Sequence, residues 1–433
     1  MRKPLFKTLY KWHVYAGLFV AVHFAIFAVS GLVLLFKHEI LGEPPAAEFT
    51  AVPEDMAARY AQALNSLQLR FPNDRPLALY PDDNSPSRLT ARFGIDGATQ
   101  LRGARKLSWD LANGAEITDT EKPATGFFEW VLRLHRELLL GSNGKIYVGL
   151  IGLAYVFMLL SGFVIYGNFM RNRPFGELRK ARLPKLIDLH KFVGVVSFGW
   201  GLIVGLSGAL LAFNGVLIKL FQFQSLRHLG ERYRDFSAQG RSLAPIENIM
   251  TTALTAKKDW IVTYVSFPGT EFGIPGHFLV LINGTTPLTQ RLSELLVINA
   301  ETAKLTEIRE LPFYLKAALL SEPLHFGDYG GIFLKILWAV FTLLSLAVVL
   351  FGVTSYFMKR RAHRSPAVVT STLPPRLHKI TTPLERYAAP VLLAMISMVA
   401  MVCALLSTGL WAKIFAALLL IPLAVLLIRG RTE

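Results

Sequence analysis

Asp188-Leu-His-Lys-Phe-Val-Gly-Val-Val-Ser-Phe-Gly-Trp-Gly201 sets a histidine at the mouth of a long apolar run, with a glycine four residues on. Trp12-His-Val-Tyr-Ala-Gly-Leu-Phe19 opens an earlier apolar run in the same way. Aligning the two runs pairs His13 with His190, Gly17 with Gly194, Ser30-Gly31 with Ser207-Gly208, and Phe36 with Phe213. A second alignment pairs Leu134-His135 with Leu324-His325, Gly141 with Gly331, Lys145 with Lys335, Gly162 with Gly352, and Tyr166 with Tyr356. The chain is therefore an internal repeat, and its unit decides the fold.

The chain has 433 residues, 52% of them hydrophobic, and a formal charge of +16. Its mean hydropathy is +0.41. This describes a membrane protein with basic loops rather than a soluble globule. A spanning helix needs about 20 apolar residues at about 1.5 Å rise each. Six segments approach or exceed that: roughly 14–36, 146–167, 192–213, 332–357, 388–406 and 410–428. The first follows a basic stretch and contains Ala28-Val-Ser30, which resembles a cleavage site. Its apolar run is longer than the about 7–15 residues of a signal-peptide core, so it reads as an uncleaved span.

Basic residues set the orientation. Arg2, Lys3, Lys7 and Lys11 precede span one; Arg171, Arg173, Arg179, Lys180, Arg182 and Lys185 lie between spans two and three; Lys359, Arg360, Arg361, Arg364, Arg376 and Lys379 lie between spans four and five. The positive-inside rule makes these stretches and both termini cytoplasmic, with two large loops outside. The positive charge is then a topology signal, and nucleic acid is not an expected partner. The single cysteine, Cys403, rules out a disulfide within the chain, and no Cys-x-x-Cys-His exists for covalent c-type haem.

The external loops repeat as well. Asp55–Leu69 and Pro245–Lys257 read as helices. Leu77–Tyr80, Arg88–Phe93 and Lys106–Asp110 read as strands in the first loop, with a hairpin signal at Asn113-Gly114. Trp260–Ser266, His277–Ile282 and Leu295–Asn299 read as strands in the second, with a turn at Ala300–Ala303. The fold class expected is an α-helical polytopic membrane protein, a tandem repeat of helix, external α+β module and helix. A four-helix core is followed by a C-terminal two-helix hairpin. The organisation is span 1 in 1–37, a first module in 38–145, span 2 in 146–167, a basic loop in 168–191, and span 3 in 192–213. A second module follows in 214–331, span 4 in 332–357, a basic loop in 358–387, and spans 5 and 6 in 388–428.

Position sorts the ten histidines. His13 and His190 begin spans one and three at the inner face; His135 and His325 precede spans two and four at the outer face. A solvated interfacial histidine has no reason to recur in register, whereas imidazole is a strong ligand for haem iron. The expectation is two haems, each held by a histidine pair. Zinc or non-haem iron usually recruits Asp, Glu or Cys nearby, and the spans hold almost none. Gly17 and Gly194 would leave room for a flat macrocycle, or serve ordinary helix packing. Lys145 and Lys335 fit haem propionates or snorkelling lysines equally, and Lys11 and Lys191 share that ambiguity. His23, whose repeat counterpart is Trp200, reads as a buried histidine satisfied by a backbone carbonyl or by Ser. His38, His228, His277, His363 and His378 carry no expected role.

Lys11-Trp-His13, Leu134-His135 with Gly141 and Gly144, Asp188-Leu-His190, and Pro323-Leu-His-Phe-Gly-Asp-Tyr-Gly-Gly331 together resemble the PepSY-associated transmembrane family over about residues 5–360. Trp109-Asp-Leu-Ala-Asn-Gly114 and Ile298-Asn-Ala-Glu-Thr302 resemble the strand-turn element of PepSY modules. The family includes bacterial inner-membrane iron-uptake proteins and ferric-siderophore reductases with b-type haem. The resemblance implies haem b ligated by His13, His135, His190 and His325, and electrons passed across the inner membrane toward the periplasm. The donor would be a cytoplasmic protein or quinol, since no dinucleotide fingerprint is visible. The acceptor would be a periplasmic ferric chelate, which would make the chain a membrane oxidoreductase. Two rivals stand beside this: a haem-free scaffold whose PepSY-like modules bind a periplasmic protein or peptide, and a permease. The permease is disfavoured because acidic residues are absent from the spans and no discontinuous helix is obvious.

Overall fold

The computed structural model describes residues 3–42, 55–82, 85–117, 126–171, 173, 175–236, 242–286, 288–364 and 382–429. Arg2, Arg376, His378 and Lys379 lie outside the described residues, as do the side chains of Lys3, His363 and Arg364. In chain order, α1 (Lys3–Leu35) and α2 (Lys37–Leu41) lead to α3 (Met56–Arg70) and strands β1 (Arg75–Asp82), β2 (Ser85–Gly94), β3 (Arg105–Asp110) and β4 (Ala115–Ile117). Next come α4 (Phe127–Glu137), α5 (Gly141–Phe169), α6 (Arg182–Ala212), α7 (Asn214–Phe221) and α8 (Arg227–Arg232). The second external half holds α9 (Ile246–Thr255), β5 (Trp260–Ser266), β6 (His277–Gly284), β7 (Glu294–Asn299), β8 (Leu305–Glu310) and α10 (Phe313–Phe326). The chain continues through α11 (Gly331–Arg364), α12 (Pro383–Leu406), α13 (Gly409–Ala417) and α14 (Leu420–Arg429). Two compact units result, one of residues 1–41, 126–213 and 321–433, the other of residues 42–125 and 214–320.

Among the described residues of the first unit, six helical segments are long and apolar enough to cross a membrane: Pro4–Leu35, Gly141–Phe169, Arg182–Ala212, Gly331–Ala362, Pro383–Leu406 and Gly409–Arg429. Such segments are helical because hydrocarbon offers no partner for an unpaired backbone group. Helix α1 packs on α5 and α11, and α6 packs on the same two, so the four close into a ring. The most buried of the six, α6, also carries α12 and α14 on its outer side. There Gly199 lets α12 approach, for a Cβ would meet the Ala394 carbonyl at 2.6 Å. A capping box starts α12: Thr382 and Glu385 bond each other's backbone N–H groups, with Pro383 at the first helical position. The last span is split into α13 and α14 at Leu418 and Leu419. Pro422 lacks the N–H that would bond the Leu418 carbonyl one turn earlier.

Helices α4 and α10 stand as separate elements, where the sequence pattern alone puts both stretches within the external modules. Gly141 and Gly331, matched in the repeat, stand at the starts of α5 and α11 with φ of +63° and +64°. That left-handed conformation suits glycine, and it lets a short helix turn into a span.

The second unit is one eight-stranded antiparallel sheet of order β4-β3-β2-β1-β5-β6-β7-β8. The first external stretch supplies one half and the second supplies the other. They join edge to edge through Ala78 opposite Ser266 and Leu79 opposite Val265. Helices α3 and α9 cover one face, over a core that includes Leu79, Phe93, Trp109, Val265 and Phe278. On the other face of the second half, Leu279, Leu295 and Val297 pack with Leu226, Leu229, Leu315 and Leu319. The two strand-turn elements close by the same device. Asp110 accepts from the backbone of Ala112 and Asn113, and Asn299 from that of Glu301 and Thr302.

Candidate functional site

All four repeat-matched histidines belong to the first unit, and they meet in two pairs. The rings of His13 on α1 and His190 on α6 have centroids 6.3 Å apart with planes at 70°. Those of His135 on α4 and His325 on α10 are 6.1 Å apart with planes at 53°.

Each ring sits in the same kind of seat on a neighbouring helix. His13 Nδ1 bonds the Met158 carbonyl at 3.1 Å and Ser161 Oγ at 3.0 Å. His190 Nδ1 bonds the Val348 carbonyl at 2.8 Å, and His325 Nδ1 the Val204 carbonyl at 3.0 Å. His135 Nδ1 bonds Ser30 Oγ at 2.9 Å, whose own proton goes to the Ile26 carbonyl, and the Phe27 carbonyl assists. Four residues after each of these carbonyls (Met158, Val348, Val204 and Phe27) stands a glycine: Gly162, Gly352, Gly208 and Gly31. A Cβ there would meet Cε1 of the seated ring at 2.9, 3.0, 2.7 and 3.2 Å respectively. The glycine thus clears space for the ring, and the carbonyl one turn before it fixes the ring's rotation.

The chemistry follows from the acceptors. A carbonyl only accepts, so Nδ1 carries the proton and Nε2 keeps its lone pair, the form in which imidazole ligates metals. Burial, with His325 close by, pushes His135 down to about 3, and burial lowers His325 as well. The outer pair is therefore neutral at physiological pH. Among the described residues no group of three or more His, Cys, Asp or Glu is placed to hold a metal ion. Each pair offers two nitrogen ligands.

The remaining candidates are placed as follows. A Cβ on Gly17 would meet Met158 Sδ and one on Gly194 would meet Val348 Cγ1, each at 3.7 Å, an ordinary van der Waals contact beside the seats. Lys335 is nearly buried and donates to Glu39 at 2.7 Å. Lys145 is half-buried on α5. Lys191 lies 3.6 Å from Asp188 and over the Phe169 ring, while Lys11 lies over Tyr15. His23 uses both ring nitrogens, donating from Nδ1 to the Phe19 carbonyl and accepting at Nε2 from the Tyr147 hydroxyl, each at 2.9 Å. His277 bonds the Pro275 carbonyl beneath Tyr233. The seat glycines had surfaced in the sequence as repeat matches without a role. The seat carbonyls had no signal at all, because a backbone carbonyl has no residue identity to read.

The family description "PepSY-associated TM region" matches residues 10–360, which span both histidine pairs. An uncharacterized protein of Pseudomonas aeruginosa is 33% identical over 81 residues, 18% of this chain. The matched stretch spans 20% of that protein's length.

Proposed function

The chain belongs to the PepSY-associated transmembrane family, and from its two histidine pairs we propose that it is a di-haem b-type electron conduit of the bacterial inner membrane. It reduces a ferric chelate of the siderophore class on the periplasmic side, so that iron is released. The reading rests on the pair geometry. Each pair brings two imidazole rings together, with centres 6.3 and 6.1 Å apart, so that both could hold one group between them. Two histidine ligands per site and fixed Nδ1 protons fit a haem better than a bare ion.

His13 and His190 hold the inner group, and His135 and His325 the outer one. Bound there, haem supplies reversible one-electron chemistry that the side chains lack. The carbonyls of Met158, Val348 and Val204, with Ser30, hold the ring orientations. The apolar ring of α1, α5, α6 and α11 keeps water from the ligands. Lys145 would meet a propionate at the outer group, and Lys335 could do so only by sharing Glu39. Electrons enter from a cytoplasmic donor or quinol. Both termini are cytoplasmic and the sheet unit is periplasmic, by the distribution of basic residues. A ferric chelate with hard oxygen ligands holds ferrous iron less tightly, so reduction frees the metal.

An oxidised-minus-dithionite-reduced spectrum of the purified protein, with haem supplied during expression, tests this reading. A bis-histidine Soret and α-band change is expected. His190→Ala and His325→Ala should each remove about half of it. A flat difference spectrum would instead favour the haem-free scaffold that binds a periplasmic protein or peptide.

A further inference from the structure

Between the two histidine pairs, one buried aromatic ring touches the surroundings of both. Helix α1 climbs about 27 Å from His13 to Gly31 at about 1.5 Å per residue. Tyr155 of α5 lies within that interval, packed against Val20 and stacked on Phe24 with centroids 5.1 Å apart and planes at 15°. On α5 it stands one turn before Met158, whose carbonyl seats His13. Its ring crosses to α6, where a Cβ on Gly205 would meet Tyr155 Cδ1 at 2.7 Å and a Cβ on Gly201 its hydroxyl at 2.8 Å. Gly205 is the chain neighbour of Val204, whose carbonyl seats His325. Glycines four apart in a span usually admit a neighbouring backbone. Here they admit a phenol ring that joins the seat of an inner ligand to the seat of an outer one.

We propose that Tyr155, stacked on Phe24, is the bridge through which electrons pass between the inner and outer centres. This rests on the di-haem reading above. One electron leaves the inner centre, which is oxidised, and reaches the outer centre, which is reduced. Tyr155 keeps its proton and its electrons throughout, and its ring supplies a packed, polarisable path where an aliphatic side chain would leave a gap. The hydroxyl is therefore dispensable and the ring is required.

The test uses the full-length, haem-loaded protein in vesicles with a reductant enclosed on the inner side and a ferric chelate outside. Haem content, haem midpoint potentials and the rate of outer-centre reduction are read separately. Tyr155→Phe should transfer electrons at the rate of the unaltered protein. Tyr155→Leu should keep both haems and both potentials but slow the transfer on the order of tenfold. Phe24→Leu, an independent variant should Tyr155→Leu fail to fold, should slow it in the same direction. Unchanged transfer in Tyr155→Leu or in Phe24→Leu, with both haems retained, would overturn the bridge. Haem loss from Tyr155→Leu and Phe24→Leu alike would overturn it in favour of a packing role. Absence of haem from the unaltered protein would instead remove the di-haem reading on which the bridge rests.

Discussion

A Cβ placed on Gly208 would stand 2.7 Å from Cε1 of His325, closer than two unbonded carbons approach. The partner ring has more room, since a Cβ on Gly31 would stand 3.2 Å from Cε1 of His135. The two seats of one site therefore differ in tolerance. On the di-haem proposal, Gly208→Ala should expel the His325 ring from the Val204 carbonyl and cost the outer haem, whereas Gly31→Ala should retain it. Haem per protein, from the pyridine haemochrome absorbance, checks the contrast. A full complement in Gly208→Ala would show that the seat does not set the ligand.

The Glu39–Lys335 contact makes a prediction about pH. Its hydrogen bond from Lys335 holds the Glu39 carboxyl below its ordinary value of 4.5. The folded state thus favours the carboxylate more than the unfolded chain does. Its contribution is complete above pH 4.5 and is withdrawn as the pH falls toward the lowered value. Because 39% of the Glu39 side chain meets solvent, the direct gain is at most about 1 kcal/mol. The larger effect falls on Lys335, which only 10% of its side chain exposes. Glu39→Gln leaves that ammonium unpaired. Thermal unfolding at pH 7 should show Glu39→Gln less stable than Glu39→Gln combined with Lys335→Met.

Phe278 of β6 is 1% exposed and belongs to a core that also takes Phe93 of β2 and Trp109 of β3. Phe278→Ala should cost about 3–5 kcal/mol, the range for emptying a buried aromatic site. Because the core crosses the junction of the two half-sheets, the loss should be felt on both sides. Amide hydrogen exchange should rise in β2 and β3 as well as in β6 and β7. Faster exchange confined to β5–β8 would mean that the halves open independently.

The spans were legible because apolar length has few other meanings, and the repeat carried the histidines with them. Strands such as Trp260–Ser266 were legible from β-branched and aromatic runs between turn signals. Other elements gave weaker signals: β4 has only three residues and β8, Leu305–Glu310, alternates with little apolar content. Helix α4 has a readable apolar stripe in Phe127, Val131 and Leu134, yet its proximity to span two hid it within a loop. The pairing of Leu79 with Val265 joins residues far apart in sequence, and no local pattern encodes it. Glu39 as the partner of Lys335 was equally invisible, since the contact exists only once α1 and α11 have packed.

Asp188, two residues before His190, anchors the start of α6. It is buried, and Arg179 grips both its oxygens at 2.7 and 2.9 Å while the Arg179 backbone N–H adds a third bond at 3.2 Å. Arg173 at 3.7 Å and Lys191 at 3.6 Å complete a group with more cations than anions. Asp188→Asn keeps the shape and removes the one negative charge, leaving three cations to repel. The cost should be about 2 kcal/mol, below the about 3–5 kcal/mol of a fully enclosed pair because Arg179 keeps 34% of its side chain in solvent. Arg173→Ala, which removes only a long contact, should cost less. Arg179→Lys should fall between them, since an ammonium keeps the charge and loses the two-point grip. As α6 carries His190 less than a turn beyond Asp188, the di-haem proposal expects Asp188→Asn also to lower inner-haem occupancy while the outer haem stays. Thermal unfolding together with haem content measures both effects, and an Asp188→Asn protein as stable as Arg173→Ala would refute the anchoring role.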